Sequence, residues 1–103
     1  MLFSGLVPAL RPYASELVRL AGPTAHVTSV RRSRREQETL YRRYLAGLSR
    51  FPAAPPGTSK HERGLAFDIY SDDAQLLRQL GAVWESWGGI WGGRFNDPIH
   101  FEA

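Results

Sequence analysis

The sequence has no cysteine, a single lysine and a single methionine among its 103 residues. The lack of cysteine excludes disulfide bonds and thiolate metal sites, so a bound metal ion would need histidine, aspartate or glutamate ligands. No run of about eighteen apolar residues is present, which excludes a transmembrane helix of the usual length. Residues 1–10 are apolar but lack a basic leader and include Pro8, so we expect them to belong to the fold rather than to a secretory signal.

The composition is that of an ordinary globular protein, with 43% hydrophobic and 22% charged residues. At this length we expect residues 1–103 to form one domain with a modest core. Most of the positive charge is arginine, and one short stretch is especially rich in it: Arg31, Arg32, Arg34, Arg35, Arg42 and Arg43. Such a cluster could favour nucleic acid or an acidic cell-wall polymer. We prefer the interpretation as a solvated helix face, which charge runs usually form.

The first half of the chain predicts a helix, a strand and a second helix. Apolar residues recur at helical spacing over about 8–21, and a Gly-Pro pair ends that helix. β-Branched residues predict a short strand over 25–30. Ser33 and Glu36 have the spacing of a capping box and open a helix over 33–46. One face of that helix is apolar: Leu40, Tyr41, Tyr44, Leu45 and Leu48.

The second half predicts a loop, two strands and a third helix. Residues 51–58 contain three prolines and a glycine, which suits a surface loop at the rim of a site. Strands are predicted over 65–70 and 99–102, with a helix between them that begins at Ser71 and stops at a Gly-Gly pair. Residues 91–93 are expected to form a second glycine turn. About three helices segregated from a small antiparallel sheet give an α+β fold.

Two histidines and one aspartate form a candidate metal site on this sheet. The alternation in the two strands places Asp68 on one face of the first, and His100 and Glu102 together on one face of the second. If the strands pair, Asp68 and His100 project from the same surface. His61 precedes the first strand by way of Gly64, a residue that lets the backbone bend back. Two imidazoles and a carboxylate are a sufficient protein ligand set for a catalytic zinc ion with an open fourth position.

These residues stand in a motif that resembles a known family. Five positions fit the pattern S-x-H-x-x-G-x-A-x-D: Ser59, His61, Gly64, Ala66 and Asp68. This is similar to the signature of the zinc D-alanyl-D-alanine carboxypeptidase and L-alanyl-D-glutamate peptidase family, which includes the VanX and VanY dipeptidases and many bacteriophage endolysins.

Two further blocks strengthen the resemblance. The upstream block resembles the family's S-x-x-R-S-x-x-x-Q-x-x-L-Y stretch and comprises Ser29, Arg32, Ser33, Gln37, Leu40 and Tyr41. The downstream block resembles the W-G-G and D-x-x-H-F of the endolysin-type branch and comprises Trp91, Gly92, Gly93, Asp97, His100 and Phe101. All three blocks occur in order and span about residues 28–102.

The resemblance implies an activity and a role for particular residues. It implies one zinc ion held by His61, Asp68 and His100, with Asp97 as the general base for the attacking water and Arg32 as the cation that stabilises the oxyanion. The implied reaction is hydrolysis of a peptide bond in the stem or cross-bridge of peptidoglycan. An aspartate rather than a glutamate three residues before His100 favours an endolysin-type L-alanyl-D-glutamate endopeptidase. A D-Ala-D-Ala carboxypeptidase or dipeptidase is the alternative.

Five residues are secondary candidates for the site. Arg31 occupies a position that is usually aromatic in the family, so either of the two adjacent arginines could face the metal. Glu102 is a rival base or a hydrogen-bond partner for a ligand histidine. Ser59 suits a hydrogen bond that orients the site, and Gln37 a contact between its helix and the arginine. Trp91, between glycines, is the tryptophan that we expect near the cleft.

Two other functions compete with a zinc peptidase. One is a metal-stabilised module without catalysis, as in the hedgehog signalling domain, but a pseudoenzyme commonly loses the base and Asp97 is present. The other is nucleic-acid binding by the arginine cluster, which lacks interleaved aromatic residues, so we expect no nucleic-acid partner. The expected partner is a peptidoglycan peptide. Without a cell-wall-binding module, the protein would act as a bare catalytic domain or be carried to the wall, for instance by a phage particle. The expected site of action is the cell wall.

Overall fold

The architecture is a four-stranded antiparallel sheet with three helices, and the computed structural model describes residues 2–103. The elements in chain order are α1 (Arg11–Ala21), β1 (His26–Ser29), α2 (Arg34–Leu45), β2 (Ala66–Tyr70), α3 (Ala74–Ser86), β3 (Ile90–Trp91) and β4 (His100–Glu102). Short 3-10 turns occupy Pro8–Leu10, Lys60–Arg63 and Gly92–Phe95. The predicted α+β fold is confirmed. No helix within residues 2–103 is both long and apolar enough to cross a membrane.

The two central strands, β2 and β4, carry the functional positions. The strand order is β1-β2-β4-β3, and every neighbouring pair is antiparallel. Phe67 pairs with Phe101 and Asp68 pairs with His100. Because successive side chains point to opposite faces, the two phenylalanines face one side of the sheet while the aspartate and histidine face the other. The expected pairing of these strands is therefore confirmed.

The hydrophobic core lies between the phenylalanine face of the sheet and helices α1 and α3. Its buried residues include Leu17 from α1, Leu80 and Trp84 from α3, and the Phe67 and Phe101 rings, whose centroids are 5.6 Å apart. The segment before α1 also contributes buried residues: Phe3 and Leu6. Its expected place in the fold is therefore confirmed from residue 2 onward, and Met1 lies outside the described residues.

Two predictions for the C-terminal half are wrong in where the element begins. Helix α3 begins at Ala74 rather than Ser71, because Asp73 is the N-cap and its side chain accepts hydrogen bonds from the backbone N–H groups of Gln75 and Leu76 at 3.0 and 3.1 Å. The glycine turn predicted at 91–93 starts one residue later, as the 3-10 turn Gly92–Phe95, since Trp91 belongs to β3 and pairs with Phe101. A strand of two residues is too short for alternation to reveal it.

Helix α2 is where the sequence predicted it, but its apolar face is not part of the core. Ser33 and Glu36 form the expected capping box, yet Gln37 is the only buried residue of α2. Three of the predicted face residues are exposed, with fractions of 41%, 64% and 72% for Tyr44, Leu45 and Leu48. Periodicity identifies which residues share a helix face but not what that face contacts.

Candidate metal and catalytic site

Three separate segments bring the candidate ligands together. Asp68 and His100 face each other across β2 and β4, and His61 comes from the 3-10 turn Lys60–Arg63. The Ser59 hydroxyl accepts a hydrogen bond from the His61 backbone N–H at 3.2 Å and caps this turn. Gly64 ends it with a φ of 70°, in the left-handed region. The bend expected at Gly64 is therefore present, and it returns the chain to β2 with His61 facing the sheet.

The ligand atoms have the spacing of a tetrahedral zinc site. His61 Nε2 lies 3.1 Å from Asp68 Oδ1 and 3.2 Å from His100 Nδ1, and the remaining distance, from His100 Nδ1 to Asp68 Oδ1, is 3.4 Å. Ligands that bind zinc at about 2.0–2.1 Å in a tetrahedron are roughly 3.3 Å apart. Within residues 2–103, His61, Asp68 and His100 are the group that could hold a metal ion.

When both histidines are neutral, their outer hydrogen bonds leave the nitrogens that face each other without a proton. His61 Nδ1 donates to the Val30 carbonyl oxygen at 2.7 Å, and His100 Nε2 donates to a Glu102 carboxylate oxygen at 2.8 Å. The lone pairs of His61 Nε2 and His100 Nδ1 therefore face each other and the Asp68 carboxylate. Three electron-rich atoms in such proximity repel one another unless a cation lies between them, so the donor set fits a metal ion.

The electrostatics of the ligands also favour a cation. Burial opposes ionisation of Asp68. Protonated His100 and His61, which hydrogen-bond to this carboxylate, and the charge of Arg32 outweigh burial and hold the pKa of Asp68 below the ordinary value. Burial likewise opposes a charge on His100, but Asp68 and Glu102 raise its pKa. The cluster thus attracts positive charge, whether as a proton or as a metal ion.

Arg32, not Arg31, reaches the site. Its Nη2 donates to Asp68 Oδ2 at 2.6 Å, its Nε to the Ser29 hydroxyl at 2.9 Å and its Nη1 to Gln37 Oε1 at 3.2 Å. The side chain of Arg31 is exposed, with its Cβ beside Gly5. The structure thus distinguishes the two adjacent arginines, which the sequence left open.

Gln37 and Glu102 support the site from either side. The fully buried Gln37 also donates through Nε2 to the Ala54 carbonyl oxygen at 2.9 Å, so it connects α2, the arginine and the 51–58 loop. The second carboxylate oxygen of Glu102 lies 2.5 Å from Lys60 Nζ. With both oxygens engaged, Glu102 has the geometry of a partner for His100 rather than that of a base.

Asp97 is the carboxylate that remains available in the cleft. Its backbone is fixed by hydrogen bonds with Gly92 and His100, at 2.9 and 3.0 Å. Its Oδ1 is the one buried side-chain oxygen or nitrogen without a hydrogen-bond partner within residues 2–103. Burial, and secondly the charge of Asp68, raise the pKa of Asp97 to about 6. Such a carboxylate is a better proton acceptor near neutral pH than an ordinary aspartate.

A cleft of about 580 Å³ opens over the ligands. Its other walls come largely from the apolar side of α2 and the loop that follows: Leu40, Tyr44, Phe51, Pro52 and Ala53. Trp91 does not line this cleft, contrary to expectation. Its ring packs against Gly81 and Gly93, and its N–H donates to the Pro98 carbonyl oxygen at 2.8 Å, so it supports the segment that carries Asp97.

Two cationic residues that line the cleft were not among the site candidates from the sequence, Lys60 and Arg63. Both lie inside the ten-residue motif, at positions that the motif leaves variable. Residues three apart on a 3-10 turn project from the same side. The spacing of these two residues would therefore have placed both beside the site, but only if the turn itself had been predicted from the sequence.

The family assignment follows from comparison of the sequence with known families. The model of the VanY D-alanyl-D-alanine carboxypeptidase family matches residues 13–88. The chain belongs to this family. Its expected membership of a peptidase family is therefore confirmed, and the matched stretch contains His61 and Asp68 but ends before His100. A comparison with curated proteins gave no match.

Several solved structures share the fold of this chain. A mutant of the vancomycin resistance D,D-pentapeptidase VanY from the VanB-type cassette, in complex with Zn(II), has a TM-score of 0.70 and 23% identity over 94% of this chain and 71% of its own. The L-Ala D-Glu endopeptidase ChiX of Serratia marcescens has a TM-score of 0.69 and 23% identity over 97% and 81%. DacB of Streptococcus pneumoniae has a TM-score of 0.68 and 22% identity over 96% and 66%. The chain thus spans about two thirds of DacB, and at these identities the likeness shows the fold.

Proposed function

We propose that this protein is a zinc-dependent peptidase that hydrolyses peptide bonds in the stem or cross-bridge of peptidoglycan. The observation that carries the proposal is the convergence of His61, Asp68 and His100 at the separations of a tetrahedral zinc site. Support comes from the family and from the VanY structure of the same fold, which holds Zn(II). The competing hypothesis, a metal-stabilised binding module, gives no role to the carboxylate of Asp97.

The residues of the cleft have separate roles in the proposed hydrolysis. A zinc ion bound by the three ligands would acidify a water molecule and polarise the scissile carbonyl. Asp97 accepts the proton of the attacking water and returns it to the leaving amine. The guanidinium of Arg32 uses three of its N–H groups on Ser29, Gln37 and Asp68, which leaves two for a developing oxyanion.

The bond that is cut is a finer part of the proposal. Asp97, three residues before His100, favours an endolysin-type L-alanyl-D-glutamate endopeptidase, and the ChiX structure, of which this chain covers 81%, supports it. The second candidate is a D-Ala-D-Ala carboxypeptidase, which the description of the matching family favours. Carriage by a phage particle stays a prediction.

Digestion of purified peptidoglycan by the zinc-loaded protein, with and without chelator, tests the proposal. Mass spectrometry identifies the new termini: C-terminal L-Ala with N-terminal D-Glu indicates the endopeptidase, and release of free D-Ala indicates the carboxypeptidase. If the zinc-loaded protein gives no chelator-sensitive product, the proposed function is wrong.

A further inference from the structure

The three cationic side chains that line the cleft differ in their partners. Arg32 is paired with Asp68 at 2.6 Å. Lys60 is paired with Glu102 at 2.5 Å and also donates to the Ala103 carbonyl oxygen at 2.9 Å. Arg63 has no hydrogen bond from its side chain and no ion pair within residues 2–103. The charges of the first two are therefore balanced inside the site, and that of the third is not.

The local backbone places Arg63 on the side of the turn that faces the cleft. Arg63 is the last residue of the 3-10 turn that begins at Lys60 and carries His61. Lys60 and Arg63 are three apart, so they project from the same side of this turn, and both line the cleft. Gly64 fixes the end of the turn, since a Cβ there would lie 2.6 Å from the Gly5 carbonyl oxygen. The position of the Arg63 backbone relative to His61 is thus set by the fold, while its exposed guanidinium is available to a ligand.

We propose that Arg63 determines specificity by binding a free carboxylate of the substrate peptide close to the scissile bond. The proposal rests on the proposed function and adds a substrate class, the anionic stem peptide. A guanidinium matches a carboxylate with two parallel hydrogen bonds, which gives orientation as well as affinity. Amidation of that carboxylate removes the charge and one acceptor, so Arg63 discriminates between free-acid and amidated peptidoglycan.

Two matched pairs of synthetic stem peptides test this, one differing at the D-Glu α-carboxyl and one at the C-terminal carboxyl, each as acid and amide. In at least one pair we expect the KM of the wild type for the acid peptide to be about tenfold lower than its KM for the amide. A tenfold difference is the scale of one charge-assisted hydrogen bond. Arg63→Gln removes this preference with kcat retained, Arg63→Lys keeps part of it, and Arg63→Glu reverses it. Arg78→Gln, which removes an exposed arginine from α3 outside the cleft, keeps the wild-type preference.

The outcomes separate the two proposals. If the wild type cleaves the peptides but shows no preference, or if Arg63→Gln and Arg63→Glu retain it, the role of Arg63 is wrong and the peptidase activity stands. If the zinc-loaded wild type cleaves none of the peptides, the proposed function fails and the role of Arg63 fails with it. Melting temperature and zinc content verify that each variant is folded and loaded.

Discussion

Among single residues, Asp97 stands apart from the other carboxylates of the cleft. Asp68 is held by Arg32 and the two histidines, and Glu102 by Lys60 and His100. Asp97 has a buried oxygen without a partner and a pKa raised to about 6 by burial and by Asp68. An unengaged carboxylate with a raised pKa beside a metal site has the properties of a general base.

Replacement of this carboxylate by its amide is expected to abolish turnover but not metal binding. Asp97→Asn keeps the shape of the side chain and removes the proton acceptor, so kcat should fall by roughly 10²–10⁴-fold. Zinc content, measured by atomic absorption, should match that of the wild type. Asp72→Asn, at an exposed position outside the cleft, is the matched control. Undiminished turnover in Asp97→Asn would show that another group carries the proton.

Glu102 is expected to act on the metal through His100. Glu102→Gln removes the negative charge of the side chain that accepts the hydrogen bond from His100 Nε2–H and pairs with Lys60. Loss of such an outer hydrogen bond typically lowers metal affinity by about 10–100-fold. Competition with a chromogenic chelator measures the zinc affinity, and Glu85→Gln, which removes a carboxylate paired with Arg94 outside the cleft, serves as control. Equal affinities in the two variants would contradict the role of Glu102.

At the scale of elements, the turn that carries His61 depends on Gly64. A Cβ on Gly64 would lie 2.6 Å from the Gly5 carbonyl oxygen, and Gly64 itself accepts a hydrogen bond from the Val7 N–H at 3.0 Å. Gly47 has a similar φ of 75°, but a Cβ there would meet nothing within 4 Å. The two glycines therefore share the backbone requirement and differ in the space around them.

Alanine substitution at these two glycines separates strain from steric overlap. Gly47→Ala should lower the free energy of unfolding by roughly 1–2 kcal/mol, because alanine is unfavourable in the left-handed conformation. Gly64→Ala adds overlap with the backbone, roughly another 1–3 kcal/mol, and should weaken zinc binding because His61 lies on the displaced turn. Chemical denaturation measures both free energies of unfolding. Similar losses in the two variants would show that close packing against residues 5–7 does not hold the turn.

The elements also show which parts of the molecule were predictable from the sequence. Alternation over β2 and β4 placed Asp68 and His100 on one sheet face, because a period of two is a local property of the chain. The two-residue strand at Trp91 and the exposure of the α2 face were not predictable, since each depends on what packs nearby. The distinction between Arg31 and Arg32 likewise depends on long-range contacts with Gln37 and Asp68.

For the molecule as a whole, the metal site connects parts of the chain that are distant in sequence. His61 and His100 are 39 residues apart, and the sheet pairing of Asp68 with His100 lies at the centre of the fold. Without a cation, two imidazole lone pairs and a carboxylate oxygen are held within 3.4 Å of one another. A bound metal ion would relieve this repulsion in the folded state alone, so metal binding and folding should be coupled.

Metal removal should therefore lower the stability of the whole protein as well as abolish its activity. At a free zinc concentration about 100 times the dissociation constant, binding to the folded state alone stabilises it by about 2.7 kcal/mol. For a domain of this size that corresponds to a rise in melting temperature of roughly 10–20 °C over the chelated protein. Calorimetry of the zinc-loaded and chelated forms measures the difference, and His100→Ala, which lacks one ligand, should show much less of it. Equal melting temperatures for the loaded and chelated wild type would mean that His61, Asp68 and His100 do not hold an ion together.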